Sequence, residues 1–273
     1  MGRSDKPQLM VALLQVNAEP WKSIYQKGQL PTWIKSSPPN IEIVNIYGDT
    51  PNWLVRLLDL IHEKMRWSPL LQGPIHVLDR YLNKFLRKKA NPAWSKKVDK
   101  HVTNLHVKVP STILTLPIVE IVLFRYFLNT TKADFLYMSN TSSYVNLLEL
   151  EKLTETFSRR KVYGGAMGNF SDIHFMSGAN RILSRDLVEK LVANFSLWDF
   201  SFVEDVSMGK LLINEDKSFV LIPNLIFQTK EQIDSVGIDE LKKSVHFRLK
   251  SGNLNSRNDT ELMHHLHERL FKD

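Results

Sequence analysis

PIVEIVLFRYFLNTTKADFLYMSNTSSYVNLLEL, Pro117 to Leu150, is the stretch on which the fold turns. Pro117 to Leu128 is largely apolar, so it is predicted as a well-buried helix, and Ala133 to Met138 is an apolar run of strand length. Ser139 to Asn146 is rich in turn formers, and Leu147, Leu150, Leu153 and Phe157 then recur at helical spacing. Immediately upstream, Leu105, Val107 and Val109 alternate as a strand does. Strand, helix, strand in this order predicts parallel pairing and an α/β architecture.

The N-terminal third agrees. Leu9 to Val16 and Ile41 to Gly48 are predicted as buried strands, and Thr50-Pro51 opens a helix expected to run to about Trp67. Downstream, Lys161 to Asn169 is predicted to hold a short strand and turn. Ser184 is placed to cap a helix with Leu187, Val188, Leu191 and Phe195 on its core face. Glu204 to Leu212 starts another helix, Ser218 to Phe227 is a late strand, and the tail from Asn258 is a polar helix. Its His264, His265 and His267 are expected to face solvent. One domain, 1–273, is expected, with residues 68–100 as an insertion or mobile element broken by Pro69, Gly73, Pro74 and Pro92.

The chain has 273 residues, is 43% hydrophobic and 24% charged, and contains no cysteine. That composition excludes a disordered or collagen-like chain, a disulfide framework, a thiolate metal site and a thiol nucleophile. The N-terminal apolar run is strand-length and carries no signal-peptide pattern, so a cytoplasmic protein is expected. The net charge of +7 equals that of residues 80–101 alone, which hold eight basic residues and one acidic one. One local cluster with interleaved Leu82, Phe85, Leu86, Trp94 and Val98 suits either a solvated surface or peripheral contact with an anionic membrane. It does not suit a nucleic-acid groove, and no nucleic-acid partner is expected. Phosphate-loop, nucleophile-elbow, zinc-helix and dinucleotide fingerprints are absent.

Four segments in order resemble the beta-1,3-glycosyltransferase and Fringe superfamily: YQKGQLPTW (Tyr25 to Trp33), SNTSSYVN, the pair Tyr163-Gly164-Gly165 with SGANRILSR (Ser177 to Arg185), and EDVSMG (Glu204 to Gly209). The matching segments span roughly residues 8–212. The resemblance implies a GT-A-type single domain with a mostly parallel sheet flanked by helices. It also implies an inverting enzyme that moves a sugar from a UDP-sugar to the hydroxyl of a saccharide or lipid-linked saccharide. By position Asp205 is the base, with Glu204 beside it. Thr32, Trp33, Asn140, Thr141, Ser142, Gly165, Ser177 and Gly178 fall on the donor side, and His246 falls near the metal-ligating histidine.

Asn140, Thr141 and Ser142 occupy the three positions of the superfamily's D-x-D triplet, which in other members holds a divalent cation, Mn or Mg, against the donor diphosphate. Neutral oxygens do not supply the carboxylate charge that such a cation needs. Three alternatives follow: the metal is held differently, cationic side chains such as Arg248 and Lys250 replace it, or the chain keeps the fold as a non-catalytic sugar-nucleotide or glycan binder. Each residue also has a plainer reading. Asp205 suits a helix cap, Trp33 a core anchor, the glycines a backbone turn, and Asn140 to Ser142 an ordinary strand-to-helix loop.

Overall fold

The computed structural model describes residues 6–53, 55–57, 60–61, 86, 88, 91–99, 102–252 and 257–271. Much of the predicted helix after Pro51 and half of the basic stretch 80–101, including Leu82 and Phe85, lie outside the described residues.

Strand β1 (Leu9–Gln15) is central because both of its faces are apolar. Met10, Ala12 and Leu14 enter one core, and Leu9, Val11 and Leu13 enter the other. A strand buried on both sides needs such a continuous run rather than an alternation. It pairs in parallel with β2 (Glu42–Asp49) on one side and β5 (Phe135–Asn140) on the other. Between β1 and β2 the chain makes a short helix, α1 (Trp21–Ile24), that continues into a π-helical stretch, Tyr25–Ile34.

β4 (Val102–Pro110) joins β2 in parallel, and β3 (Trp94–Asp99) closes that edge antiparallel to β4. All six residues of β3 are exposed, with Trp94, Lys96 and Val98 on one face and Lys97 on the other, and Lys96 lies 5.2 Å above the Tyr126 ring. Lysines on an exposed edge discourage pairing with another chain. The predicted apolar helix is α2 (Leu116–Thr130), which covers one face of the sheet.

Past β5 come β6 (Ser143–Val145) and α3 (Leu147–Glu155), whose start is capped by the Asn146 side chain accepting from the Glu149 amide. Next is a hairpin, β7 (Val162–Phe170) and β8 (Ile173–Ser184), with β8 antiparallel to β5. The strands here are longer than the predicted short strand and turn, because they run on past the core as a ribbon held by backbone pairing. Helix α4 (Arg185–Ala193) follows. Ser184 stands at its N-cap position but donates to the Asp186 carboxylate and accepts from the Val162 amide.

Helix α5 (Glu204–Leu211) follows as predicted. The expected late strand is two strands. β9 (Ser218–Leu221) extends the large sheet beside β7, whereas β10 (Asn224–Phe227) belongs to a second sheet. The break falls at Pro223, which has no amide hydrogen to donate to a ladder. Short helices α6 (Lys230–Asp234) and α7 (Ile238–Lys243) lead to β11 (His246–Leu249), which pairs in parallel with β10 and antiparallel with β6. The tail helix α8 (Asp259–Phe271) is amphipathic rather than polar throughout, and Leu262, Met263, Leu266 and Leu270 seal the second core.

The described residues thus form a mixed α/β fold. An eight-stranded sheet of order β3-β4-β2-β1-β5-β8-β7-β9, with four of its seven neighbour pairs parallel, is flanked by helices, and a three-stranded sheet lies beside it. No described helix is long and apolar enough to cross a membrane.

Candidate functional site

The chain leaves β1 toward β2 and later returns to the opposite side of β1 with β5. A crevice outside the carboxyl ends of two such strands is where open α/β sheets bind ligands. A cavity of about 370 Å³ lies there, lined by Leu14 and Gln15 at the end of β1, Asn140 to Ser142 after β5, Ser177 to Ala179 of β8, Glu204 and Asp205 of α5, and Arg248 of β11. Most residues picked from the resemblance therefore converge, although they come from four separate stretches of chain.

The Asn140–Ser142 wall is fastened by its own side chains and by cations. Asn140 Oδ1 accepts from the Ser142 amide (3.2 Å), the Ser143 hydroxyl (2.9 Å) and the Arg248 guanidinium. Arg257 donates to Ser142 Oγ at 2.6 Å and to the Leu249 carbonyl, lies over the Trp21 ring and pairs with Asp259. Buried Gln29 donates to the carbonyls of Asn140 (2.9 Å) and Ser143 (2.8 Å), spanning the whole turn.

The expected contribution of the Tyr25 to Trp33 segment differs accordingly. Thr32 is fully buried and donates to the Gly28 carbonyl, and Trp33 packs against the Tyr144 ring at 6.4 Å. Neither lines the cavity. The segment serves the site through Gln29, a buried amide whose partners are backbone carbonyls more than 100 residues away, beyond the reach of local pattern.

The other wall is acidic. Gly178 donates its amide to Asp205 Oδ2 at 3.3 Å, and a Cβ at Gly178 would stand 2.2 Å from Glu204 Oε1, so a larger residue there would displace the end of that side chain. Behind Glu204 lies Arg181 of β8, completely buried, with its guanidinium 3.9 Å from Glu204 and ion-paired to Glu120 of α2. Burial raises both glutamate carboxyls above their ordinary values. The Asp205 charge adds to this rise at Glu204, and Arg181 opposes it at both. Removing one member of such a buried pair strands the other's charge. The sequence signal was visible in hindsight: Glu120 is the one charge inside the apolar run PIVEIVLF.

Gly165 is structural. Its φ of +149° and the 2.1 Å that would separate a Cβ from the Asn180 carbonyl let β7 pass close to β8. Lys250 is exposed at the end of β11. With His246 and Arg248 it lines a smaller cavity of about 180 Å³ that shares Ser177, Ala179 and Arg248 with the main one. His246 itself is buried, bonded through Nδ1 to the Tyr137 hydroxyl at 2.8 Å. Burial, with Arg248 nearby, depresses its pKa to about 3.

The implied divalent cation does not fit the side chains in place. Asn140 Oδ1 is already filled by three donors, one of them a guanidinium, and Arg257 occupies Ser142 Oγ. The groups around His246 are Tyr137, Asn180 and Arg248, none a carboxylate. Among the described residues no three His, Cys, Asp or Glu side chains come together to hold a metal. The tail histidines are tied down rather than free: His264 meets the Lys27 carbonyl, His265 Asp234, and His267 the Tyr144 hydroxyl.

No family model matches the chain, and no curated protein matches it. Among solved structures it is similar to the galactosyltransferase LgtC bound to donor and acceptor sugar analogues, at 9% identity over 97% of this chain and 96% of that one, with a TM-score of 0.46. It is also similar to the apo form of the glycosyltransferase GlyE of Streptococcus pneumoniae TIGR4, at 12% identity and a TM-score of 0.45. That match covers 97% of this chain and 61% of that one. Apo mouse xyloside xylosyltransferase 1 matches at 9% identity over 92% of this chain and 99% of that one, with a TM-score of 0.38.

Proposed function

We propose that the chain is a GT-A-type glycosyltransferase that moves a sugar, with inversion, from a UDP-sugar to a hydroxyl of a saccharide or lipid-linked saccharide. One observation carries this reading. A guanidinium without a carboxylate partner among the described residues, that of Arg248, and a pair of carboxylates, Glu204 and Asp205, line a single cavity at the carboxyl ends of β1 and β5. Group transfer from a diphosphate needs both, a cation where negative charge leaves and a carboxylate where a proton is taken.

In this reading Asp205 accepts the proton of the acceptor hydroxyl, whose oxygen attacks the anomeric carbon of the donor sugar. The bond from that carbon to the diphosphate oxygen breaks, and its electron pair leaves with the diphosphate. Arg248, with Lys250 at the rim, stabilises the charge by charge-assisted hydrogen bonds, so no divalent cation takes part. Asn140 to Ser142 shape the diphosphate side, and Ser177 and Gly178 shape the sugar side. A neighbouring slot of about 220 Å³, which shares Leu14, Gln15 and Val16 and is lined further by Ile46, Ser111 and Thr112, takes the nucleoside.

Calorimetry of UDP with the purified protein tests this, with manganese and with chelator, followed by turnover of a UDP-sugar panel. Binding that chelator leaves unchanged, with transfer lost in Asp205→Asn, is the expected result. Failure of UDP to bind, or binding only with manganese, overturns the reading.

A further inference from the structure

Two residues that line the small cavity beside the main one, His246 and Asn180, carry buried polar atoms whose hydrogen-bonding sense follows from a count of protons. Tyr137, on β5, is fully buried, and its hydroxyl donates to Asn180 Oδ1 at 3.1 Å. A phenol has one proton to give. The same oxygen lies 2.8 Å from His246 Nδ1, so with the Asn180 amide oxygen turned to the phenol it accepts there, and His246 carries its proton on Nδ1. That leaves Nε2 of the imidazole as a lone-pair acceptor. Asn180, whose Oδ1 is taken by Tyr137, has its Nδ2 protons left over.

Among the described residues neither His246 Nε2 nor Asn180 Nδ2 has a hydrogen-bond partner, though both atoms are buried and both residues line the cavity. A buried polar group without a partner costs about 1–3 kcal/mol, so two of them, one acceptor and one donor, held rigidly by one tyrosine, mark a place built for something else. Resting on the glycosyl-transfer reading, we propose that this cavity is a saccharide subsite in which one sugar hydroxyl donates to His246 Nε2 and accepts from Asn180 Nδ2. An alcohol matches that donor and acceptor pair with a single oxygen. A carboxylate, or a phosphate held in a diester, has no proton for Nε2 at neutral pH, and a divalent cation would be opposed by the Asn180 amide protons and by Arg248. His246 is thereby a specificity-determining residue rather than a metal ligand.

The experiment follows the 15N signals of His246 in the intact protein during titration with methyl glycosides of glucose, galactose, mannose and N-acetylglucosamine, with UDP present and absent. The expected result is an Nδ1-protonated, neutral ring at pH 7 whose Nε2 signal moves with at least one glycoside. His246→Phe and Asn180→Asp should weaken that glycoside at least about tenfold, whereas His246→Gln, which keeps an acceptor, should retain most of the affinity. A proton on Nε2, or no response to any glycoside under either condition, overturns the proposal. Because the glycoside arm needs no nucleotide, a protein that ignores UDP but shifts at His246 rejects the transferase reading alone.

Discussion

On one wall of the cavity Arg248 and Arg257 are held against a loop of neutral side chains; on the other, Glu204 and Asp205 stand in front of an arginine already neutralised by Glu120. Among the described residues the cationic wall has no carboxylate beyond Asp259, which pairs with Arg257, so Arg248 presents positive charge to the cavity. The acidic wall has a buried counter-charge that fixes its geometry without reaching the cavity. The difference shows how a cavity without a carboxylate triplet keeps basic and acidic side chains on separate walls, each held by its own partners.

The largest expected effect comes from removing the carboxylate that faces the acceptor. Asp205→Asn should lower transfer by about 10²–10⁴-fold while leaving UDP affinity within about twofold, as judged by single-turnover rates beside calorimetry. Equal losses in both would mean that the acidic wall is a binding element only.

Next, Arg181→Met should cost about 3–5 kcal/mol of unfolding free energy in denaturant titration, because Glu120 is left buried without its partner and must take up a proton or hold an uncompensated charge. Adding Glu120→Gln should restore much of it. If the double variant is no more stable than the single, the pair is not coupled as described.

On the opposite wall, Arg248→Gln should weaken UDP by about 10–100-fold, the worth of a charge-assisted contact, and flatten the salt dependence of binding without shifting the melting temperature by more than a few degrees. An unchanged affinity would place the diphosphate elsewhere.

His246 gives a pH test of the same wall. Its folded pKa is depressed to about 3 from an ordinary 6.5, so the unfolded chain binds more protons between those values. The stability associated with a neutral, buried His246 is therefore complete above about pH 6.5 and is lost on acidification toward pH 3. The slope is at most about 1.4 kcal/mol per pH unit. Denaturant titrations of His246→Gln should show a shallower fall than the parent over pH 6 to 4, and parallel curves would contradict the burial.

The smallest effect is at Lys250, which is exposed. Lys250→Ala should change stability by no more than about 0.5 kcal/mol and UDP affinity by only a few-fold in the same calorimetric assay.

Much of the fold was legible locally. The apolar run of Leu9 to Val16 could only be a strand buried on both faces, and the spacing of Leu147, Leu150 and Leu153 could only be one face of a helix. Of the residues picked by the resemblance, Asn140 to Ser142, Ser177, Gly178, Glu204 and Asp205 line one cavity, and Arg248, picked for its charge, lines it too. It misled at Thr32 and Trp33, which are core residues, because the segment acts through Gln29. Strand length in the β7–β8 hairpin and the split at Pro223 were missed for a common reason: both depend on which strand lies alongside, and pairing partners leave no mark on the pattern of a single strand.

By itself, then, the sequence determined the period of each element, the absence of thiol chemistry and the neutral character of the Asn140-Thr141-Ser142 loop, since these follow from residue types and their spacing. Only the tertiary structure decided that Arg248 meets that loop, that Glu120 and Arg181 brace Glu204 from behind, and that Tyr137 sets the proton of His246. Arg248 with Asn140, Glu120 with Arg181, and Tyr137 with His246 are contacts of a few ångströms between residues more than 50 positions apart, and Arg181 reaches Glu204 from a different element. Burial and hydrogen-bond direction at such contacts arise only once the sheet has brought its strands together.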